Sequence, residues 1–299
     1  MSSTDLRASR WRGRPGRLEV WYTTLTDPAT GTGVWLHTEL VAPTTGAAHV
    51  HGWAAVFAPG QEPVWHRFGP VPADALPPSE LTGSAGPLSW DLRLTDPGGP
   101  TLYTFPRYAW EREVLPAAQV VPAPAAVYDG TVTVGDRVLE LQGARGASAR
   151  IYGHGNARRW GWLHADLSGG DVLELVSAVS MRPGLSRLPP LTFLQLRVDG
   201  VDWPRDPLAV APLLRARLGL PDWRVSGVVG RRRITVEVHQ DPARTVAVDY
   251  TDPDGGRATC HNSELASATI RLDRAGRRGW QTEREWRLDG TAHAEIGLR

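Results

Sequence analysis

The chain has one cysteine, Cys260, and no lysine among its 299 residues. A lone thiol excludes an intramolecular disulfide and any multi-thiolate metal site. The missing lysine excludes Schiff-base catalysis through a lysine amine. All 33 basic residues are therefore arginine, and 32 acidic residues balance them to a formal net charge of +1. Coding composition explains such a bias before selection does, although arginine pairs more rigidly than lysine. With charges so balanced, no global field recruits nucleic acid or an anionic membrane. No apolar run approaches the ~18 residues that span a bilayer, so no stable membrane insertion is expected. Residues 1–17 are rich in Arg, Ser and Gly without the apolar stretch of a signal peptide, which predicts a disordered lead and a cytoplasmic location.

Several reactive motifs are also missing. There is no Gly-x-Ser-x-Gly elbow, Walker loop or dinucleotide fingerprint, and Gly153-His154-Gly155 is too short to cradle a phosphate. Arg231-Arg232-Arg233 reads as a solvated turn, since nothing nearby interleaves aromatics with basic residues as a nucleic-acid binder does. No cofactor is implied.

What the chain does contain is 13 tryptophans, 32 glycines and 25 prolines, with 41% hydrophobic residues. This is the composition of a folded, turn-rich protein, and most of the indoles are expected to fill cores or barrel ends. Strand-like runs dominate: Leu18–Thr26, Val34–Ala42, His49–Ala58, Val64–Phe68, and a hairpin of Leu88–Thr95 with Thr101–Phe105. After a second hairpin at Thr131–Val134 and Arg137–Gln142 come Ala147–Tyr152, Trp160–Leu167, Asp171–Ser180 and Thr192–Val198. Trp223–Val229, Arg233–Gln240, Thr245–Tyr250, Arg257–Asn262, Ser267–Asp273, Gln281–Leu288 and Ala292–Leu298 complete the series. Residues 115–127, interrupted by three prolines, suit an extended crossing segment or linker, and only 206–218 has a helical look, weakened by Pro212. Roughly sixteen to twenty short strands with very little helix predict an all-β protein of two barrels or sandwiches.

The most informative stretch is Tyr152-Gly153-His154-Gly155-Asn156 running on to Trp160–Leu167. Period-two alternation puts Trp160, Trp162, His164 and Asp166 on one strand face, with Gly161, Leu163, Ala165 and Leu167 on the other. Two indoles, an imidazole and a carboxylate suit a pocket wall, and Asp166 is near enough in sequence to orient His164. A polar cluster that merely satisfies itself fits the same pattern. Glu174, in Val172-Leu173-Glu174-Leu175-Val176, would have a raised pKa if buried and could then act as a general acid. Charged residues are mostly exposed, so the outward orientation of Glu174 is the favoured one.

In the first half, His49, His51 and Trp53 share a face, as do Trp35, His37 and Glu39. His-x-His with His37, Glu39 or His66 as a third ligand has a spacing seen at zinc sites. An aromatic-lined cavity or rim is the favoured setting, and no metal is assigned.

Trp21-Tyr22-Thr23-Thr24-Leu25-Thr26-Asp27 with Gly33-Val34-Trp35-Leu36, Leu88-Ser89-Trp90-Asp91-Leu92, the proline-rich 115–127 stretch, the mid-chain Gly/His/Trp segment and the ending Ala292-His293-Ala294-Glu295-Ile296-Gly297 carry a resemblance. The chain resembles a two-domain lipocalin-like superfamily that includes AttH-like proteins, carotenoid hydratases, tocopherol cyclases and lipocalin-type Diels–Alderases. Where that family often has His-x-Trp-Gly, this chain has His154-Gly155-Asn156-Ala157. The resemblance implies two lipocalin-like antiparallel β-barrels side by side, residues 18–157 and 158–299, with an apolar small-molecule pocket.

Together these readings predict a cyclase or isomerase, pericyclic or proton-initiated, acting on a hydrophobic polyene or terpenoid-like molecule of secondary metabolism. The expected catalytic groups are His164, Asp166, His154, Tyr152 and Glu174; the expected substrate contacts are Trp160, Trp162, Asn156, Trp35, His51 and Trp53. The alternatives are a non-catalytic carrier of an apolar ligand and a carotenoid-hydratase-like addition of water. The partner in each case is a hydrophobic small molecule, and the oligomeric state is left open.

Overall fold

The computed structural model describes residues 8–77, 79–181 and 184–299. Its backbone hydrogen bonds are spent almost wholly in two antiparallel sheets. The first contains β1 (Arg17–Thr26), β2 (Gly33–Ala42), β3 (His49–Phe57) and β4 (Val64–Pro72), then β5 (Thr82–Ala85), β6 (Leu88–Asp96), β7 (Ala117–Val134) and β8 (Arg137–Gly153). They are ordered β4-β3-β2-β1-β8-β7-β6-β5, and the edge strands β4 and β5 meet, rolling the sheet towards a barrel.

The second sheet contains β9 (Arg159–Asp166), β10 (Val172–Val179), β11 (Leu191–Val198), β12 (Val201–Trp203) and β13 (Leu214–Arg217). It continues with β14 (Asp222–Val229), β15 (Arg232–His239), β16 (Val246–Thr251), β17 (Arg257–Gly276) and β18 (Gly279–Leu298). The order is β12-β11-β10-β9-β18-β17-β15-β14-β13, with β16 paired to β17, and β11 comes back against β13. Among the described residues two short α-helices, α1 (Arg107–Arg112) and α2 (Pro207–Val210), and a few 3-10 turns interrupt an otherwise all-β, lipocalin-like fold. Among the described residues no helix is long and apolar enough to cross a membrane.

Chain contacts divide the molecule into two compact units, one running to Asn156 and taking back Tyr250–Arg257, the other comprising Ala157–Asp249 and Ala258–Arg299. Each has its own apolar core. Leu25, Val34, Leu36, Val56, Trp90, Tyr128 and Leu141 fill the first; Leu163, Leu173, Leu194, Val225, Val236, Ile270 and Ile296 are part of the second. In both units several strands are buried on both faces, one face apolar and the other aromatic and polar. Such a second face must satisfy its polar atoms within the protein, and that requirement builds the sites below.

Several expectations need correction. Residues 115–127 are not a linker, because Ala117–Val127 forms the first half of β7, with register shifts against β8 between Val120, Ala123 and Ala126. Pro122 and Pro124 lie inside those irregularities, where the missing N–H is tolerated. Thr101–Phe105 is no hairpin strand; Leu102 makes one isolated bridge to Val121 while β6 pairs with β5 and β7. Residues 206–218 form α2, a short 3-10 turn and β13 rather than one helix. The four C-terminal runs are two long strands, bulged near Ser263–Ala268 and paired from Gly276↔Gly279 to Thr259↔Leu298. Residues 1–7 of the N-terminal lead lie outside the described residues, while Ser9 Oγ and the Arg10 and Trp11 amides bind Glu19 at 2.8 to 3.0 Å.

Candidate functional site

In the second unit the register of three strands sets up one polar constellation. His164 on β9 lies opposite Glu174 on β10 and opposite His293 on β18. Leu163 and Ala165 turn into the core, so His164 and its neighbours must take the other face. Glu174 accepts on both carboxyl oxygens, from Trp162 Nε1 at 2.6 Å and from His164 Nδ1 at 2.9 Å. His164 is fully buried and Glu174 is 1% exposed. With Nδ1–H directed at Glu174, the Nε2 atom of His164 presents a lone pair, and it has no hydrogen-bond partner. A buried nitrogen left open in this way forgoes about 1–3 kcal/mol.

Against His164 stacks the ring of His293, with centroids 5.7 Å apart and planes at 27°. His293 Nδ1 lies 3.6 Å from Oε2 of the fully buried Glu264 on β17. Burial pushes the Glu264 carboxyl well above its ordinary range, opposed by a hydrogen bond with Asn262. Burial, aided by His164, pushes the His293 imidazole well below its own. Desolvation thus disfavours the charged form of both partners in a contact whose distance is that of an ion pair. Alongside, Glu295 accepts from Trp160 Nε1 at 2.6 Å and from the Cys260 thiol at 3.2 Å.

The first unit carries a second buried polar face. Glu39 on β2 is bridged by His37 Nε2 and His51 Nε2, each at 3.0 Å. Burial raises Glu39, but the bonds from His37 and His51 outweigh it and bring the carboxyl down to about 2. His37 is lowered by burial despite its bond to Glu39. Its ring lies flat on Trp53 at 4.1 Å, with Trp35 edge-on at 5.4 Å and Tyr250 at 5.8 Å. The Trp53 indole N–H is buried without an acceptor. Among the described residues no group of three or more His, Cys, Asp or Glu is placed to hold a metal ion.

The expected residues therefore divide. Trp160, Trp162, His164 and Glu174 come together in the second unit, and Glu174 faces inward, contrary to the favoured outward orientation. Asp166 Oδ1 accepts from the Ser168 amide at 2.8 Å and holds the β9–β10 turn, while Glu174 is the carboxyl that orients His164. Trp35, His51 and Trp53 gather in the first unit. Tyr152 is buried beneath the Arg10 guanidinium at 4.7 Å, and burial, then Glu113, raises its phenol. His154 is exposed, its Nδ1 taking a bond from Arg17 at 3.0 Å. Asn156 ties its amide and side chain to Asp252 at 2.9 and 2.8 Å.

Glu264 and His293 were not among the expected site residues. For His293 the signal was the alternation of Ala292-His293-Ala294-Glu295-Ile296, which puts His293 and Glu295 on one face and apolar residues on the other; Glu264, within Asn262-Ser263-Glu264-Leu265, had no such pattern.

Comparison with known proteins follows the same outline. The model of a family described as tocopherol cyclase-like matches residues 106–298. An uncharacterized protein of Mycobacterium tuberculosis (strain ATCC 25618 / H37Rv) is 50% identical over 305 residues, covering 97% of this chain and 89% of that protein. Its counterpart in strain CDC 1551 / Oshkosh gives the same figures. Among solved structures, a putative AttH from Nitrosomonas europaea has a TM-score of 0.57 at 13% identity, over 94% of this chain and 92% of that one. The structure of CghA with Sch210972 has a TM-score of 0.54 at 15% identity, over 94% and 87%. At these identities the two structures speak for the fold alone.

Proposed function

The chain belongs to the tocopherol cyclase-like family, and from that premise we propose that it is a proton-initiated cyclase or isomerase of a hydrophobic polyene or terpenoid-like small molecule. The observation that carries the reading is the His164 imidazole, fixed at Nδ1 by Glu174 and open at Nε2 inside a buried aromatic face. Glu264, whose burial favours the protonated carboxyl, is the proton source of the reaction. Protonation of an alkene carbon makes a new C–H bond and leaves a cation on its neighbour. An internal hydroxyl or second alkene captures that cation, and a base takes the surplus proton. His164 Nε2 supplies the base. Trp160 and Trp162 are the walls that hold the chain folded and stabilise cationic charge through their ring faces. Substrate and product are isomers, so the step consumes no cofactor.

The test is turnover of prenylated quinols and linear polyenes in heavy water, followed by mass spectrometry. Proton-initiated closure puts one deuterium on carbon in the product. A product without deuterium points to a pericyclic step, and one that takes labelled oxygen from water points to hydration. His164→Ala and Glu174→Gln are expected to lower turnover about a hundredfold or more, in the range of a lost general acid–base group. Asp166→Ala, which acts at a turn, retains it. A second reading, a carrier of apolar ligands, is favoured by the first unit, where His37, Glu39 and His51 satisfy one another within an aromatic box. In that case native mass spectrometry finds a ligand held by every variant and no product.

A further inference from the structure

The near-zero net charge hides a local excess. Residues 229–233 and 271–284 contain eight arginines against two carboxylates, Asp273 and Glu283. The fold brings these segments together: β15 pairs with β17, and Ala275 and Arg231 exchange bonds through the Ala275 amide at 2.8 Å and the Arg231 guanidinium at 3.0 Å. The Gly230-Arg231 turn of one hairpin thus lies beside the Arg277-Arg278 turn of the next.

Neutralisation is layered. One row back from the tips, Glu283 pairs with Arg232 and Arg274, and Asp273 with Arg233 and Arg271. At the tips themselves Arg277 and Arg278 are exposed and engage no partner among the described residues. Beside them Trp280 is 38% exposed under the Arg233 guanidinium at 5.1 Å, and Val228, opposite Arg233, is 44% exposed. Arg284 binds Asp199 at 3.1 Å, tying in the β11–β12 turn, where Val201 is 65% exposed.

We infer that this end of the second unit docks on the surface of an anionic phospholipid bilayer. Unpaired guanidiniums at the outermost rim match lipid phosphates, while an indole with its neighbouring valines matches the boundary between headgroups and acyl chains. Nucleic acid is the other polyanion to consider, but of the two indoles here Trp203, under Arg232 at 6.0 Å, is half-buried and only Trp280 is exposed, which gives no series of open rings for bases to stack on. The inference does not depend on the proposed chemistry.

The experiment is co-sedimentation of the full chain with vesicles of phosphatidylcholine, pure or containing about one third phosphatidylglycerol. Binding is expected to the anionic vesicles only, and to fall in about 0.5 M salt, where the screening length shrinks to a few ångströms. The triple variant Arg231→Gln, Arg277→Gln, Arg278→Gln should partition about a hundredfold more weakly, at about fivefold per lost charge, with an unchanged melting temperature. Brominated lipid should quench part of the wild-type fluorescence, a part missing from Trp280→Ala. Equal binding to both vesicle types, a triple variant that binds like wild type, or capture of a single-stranded oligonucleotide without vesicle binding would each overturn the assignment.

Discussion

Glu174 serves two donors at once, the Trp162 indole and the His164 imidazole. Removing it and altering it should therefore differ. Glu174→Ala leaves both donors buried without acceptors and is expected to lose roughly 2–5 kcal/mol of stability, at about 1–3 kcal/mol for each unsatisfied donor. Glu174→Gln keeps one acceptor oxygen for Trp162 and turns its NH2 towards His164. The imidazole can then accept at Nδ1 and carry its proton on Nε2, so the loss should be nearer 1–2 kcal/mol. Urea midpoints of the two variants check this, and equal losses would mean that the bonds are not what holds the site. The same substitution inverts the polarity of Nε2, which is why Glu174→Gln is informative for turnover as well as for stability.

Strand registers decide what alternation alone leaves open. The alternation of Trp160, Trp162, His164 and Asp166 was legible in the sequence, as were the His49, His51, Trp53 and Trp35, His37, Glu39 faces. What lies across from each residue was not. Glu174 sits among Val172 and Val176 on a face that either solvent or protein could cover, and only its pairing with His164 makes it an internal acceptor. Pro122 and Pro124 similarly signalled a break, because a bulge that hides the missing N–H depends on the partner strand β8. Gly297 gives the element-scale test. A Cβ there would stand 2.0 Å from the Trp160 ring, so the glycine exists to let β18 approach the indole of β9. Gly297→Ala is expected to displace that ring from Glu295 and to cost about 1–3 kcal/mol, as overpacking does. Its melting temperature should fall accordingly, and an unchanged melt would show that Trp160 has room the packing denies it.

Across the whole molecule, buried titratable groups act on stability in opposite directions. Glu39, held at about 2 against an ordinary 4.5, contributes stability present above pH 4.5 and lost as pH falls towards 2. His37 and His293, both lowered from 6.5, contribute stability present above pH 6.5 and lost as pH falls below it. Glu264 runs the other way: raised above 4.5, it contributes stability that is full below pH 4.5 and lost as pH rises towards its folded value. The two histidines and Glu39 therefore shape the acid arm of the melting profile, while Glu264 alone among these four pulls the curve down as pH rises above 4.5. Glu264→Gln, neutral at every pH, should lose the decline that Glu264 imposes as pH rises from 4.5 towards its folded value, and so melt higher than wild type at pH 8. Glu39→Gln should flatten the fall between pH 4.5 and 2 and leave the alkaline side untouched. Scanning calorimetry from acid to mildly alkaline pH separates the two, because Glu39 and Glu264 belong to different units. A Glu264→Gln profile that falls with rising pH above 4.5 just as wild type does would mean that burial does not hold the Glu264 carboxyl up, and the proposed proton donor would go with it.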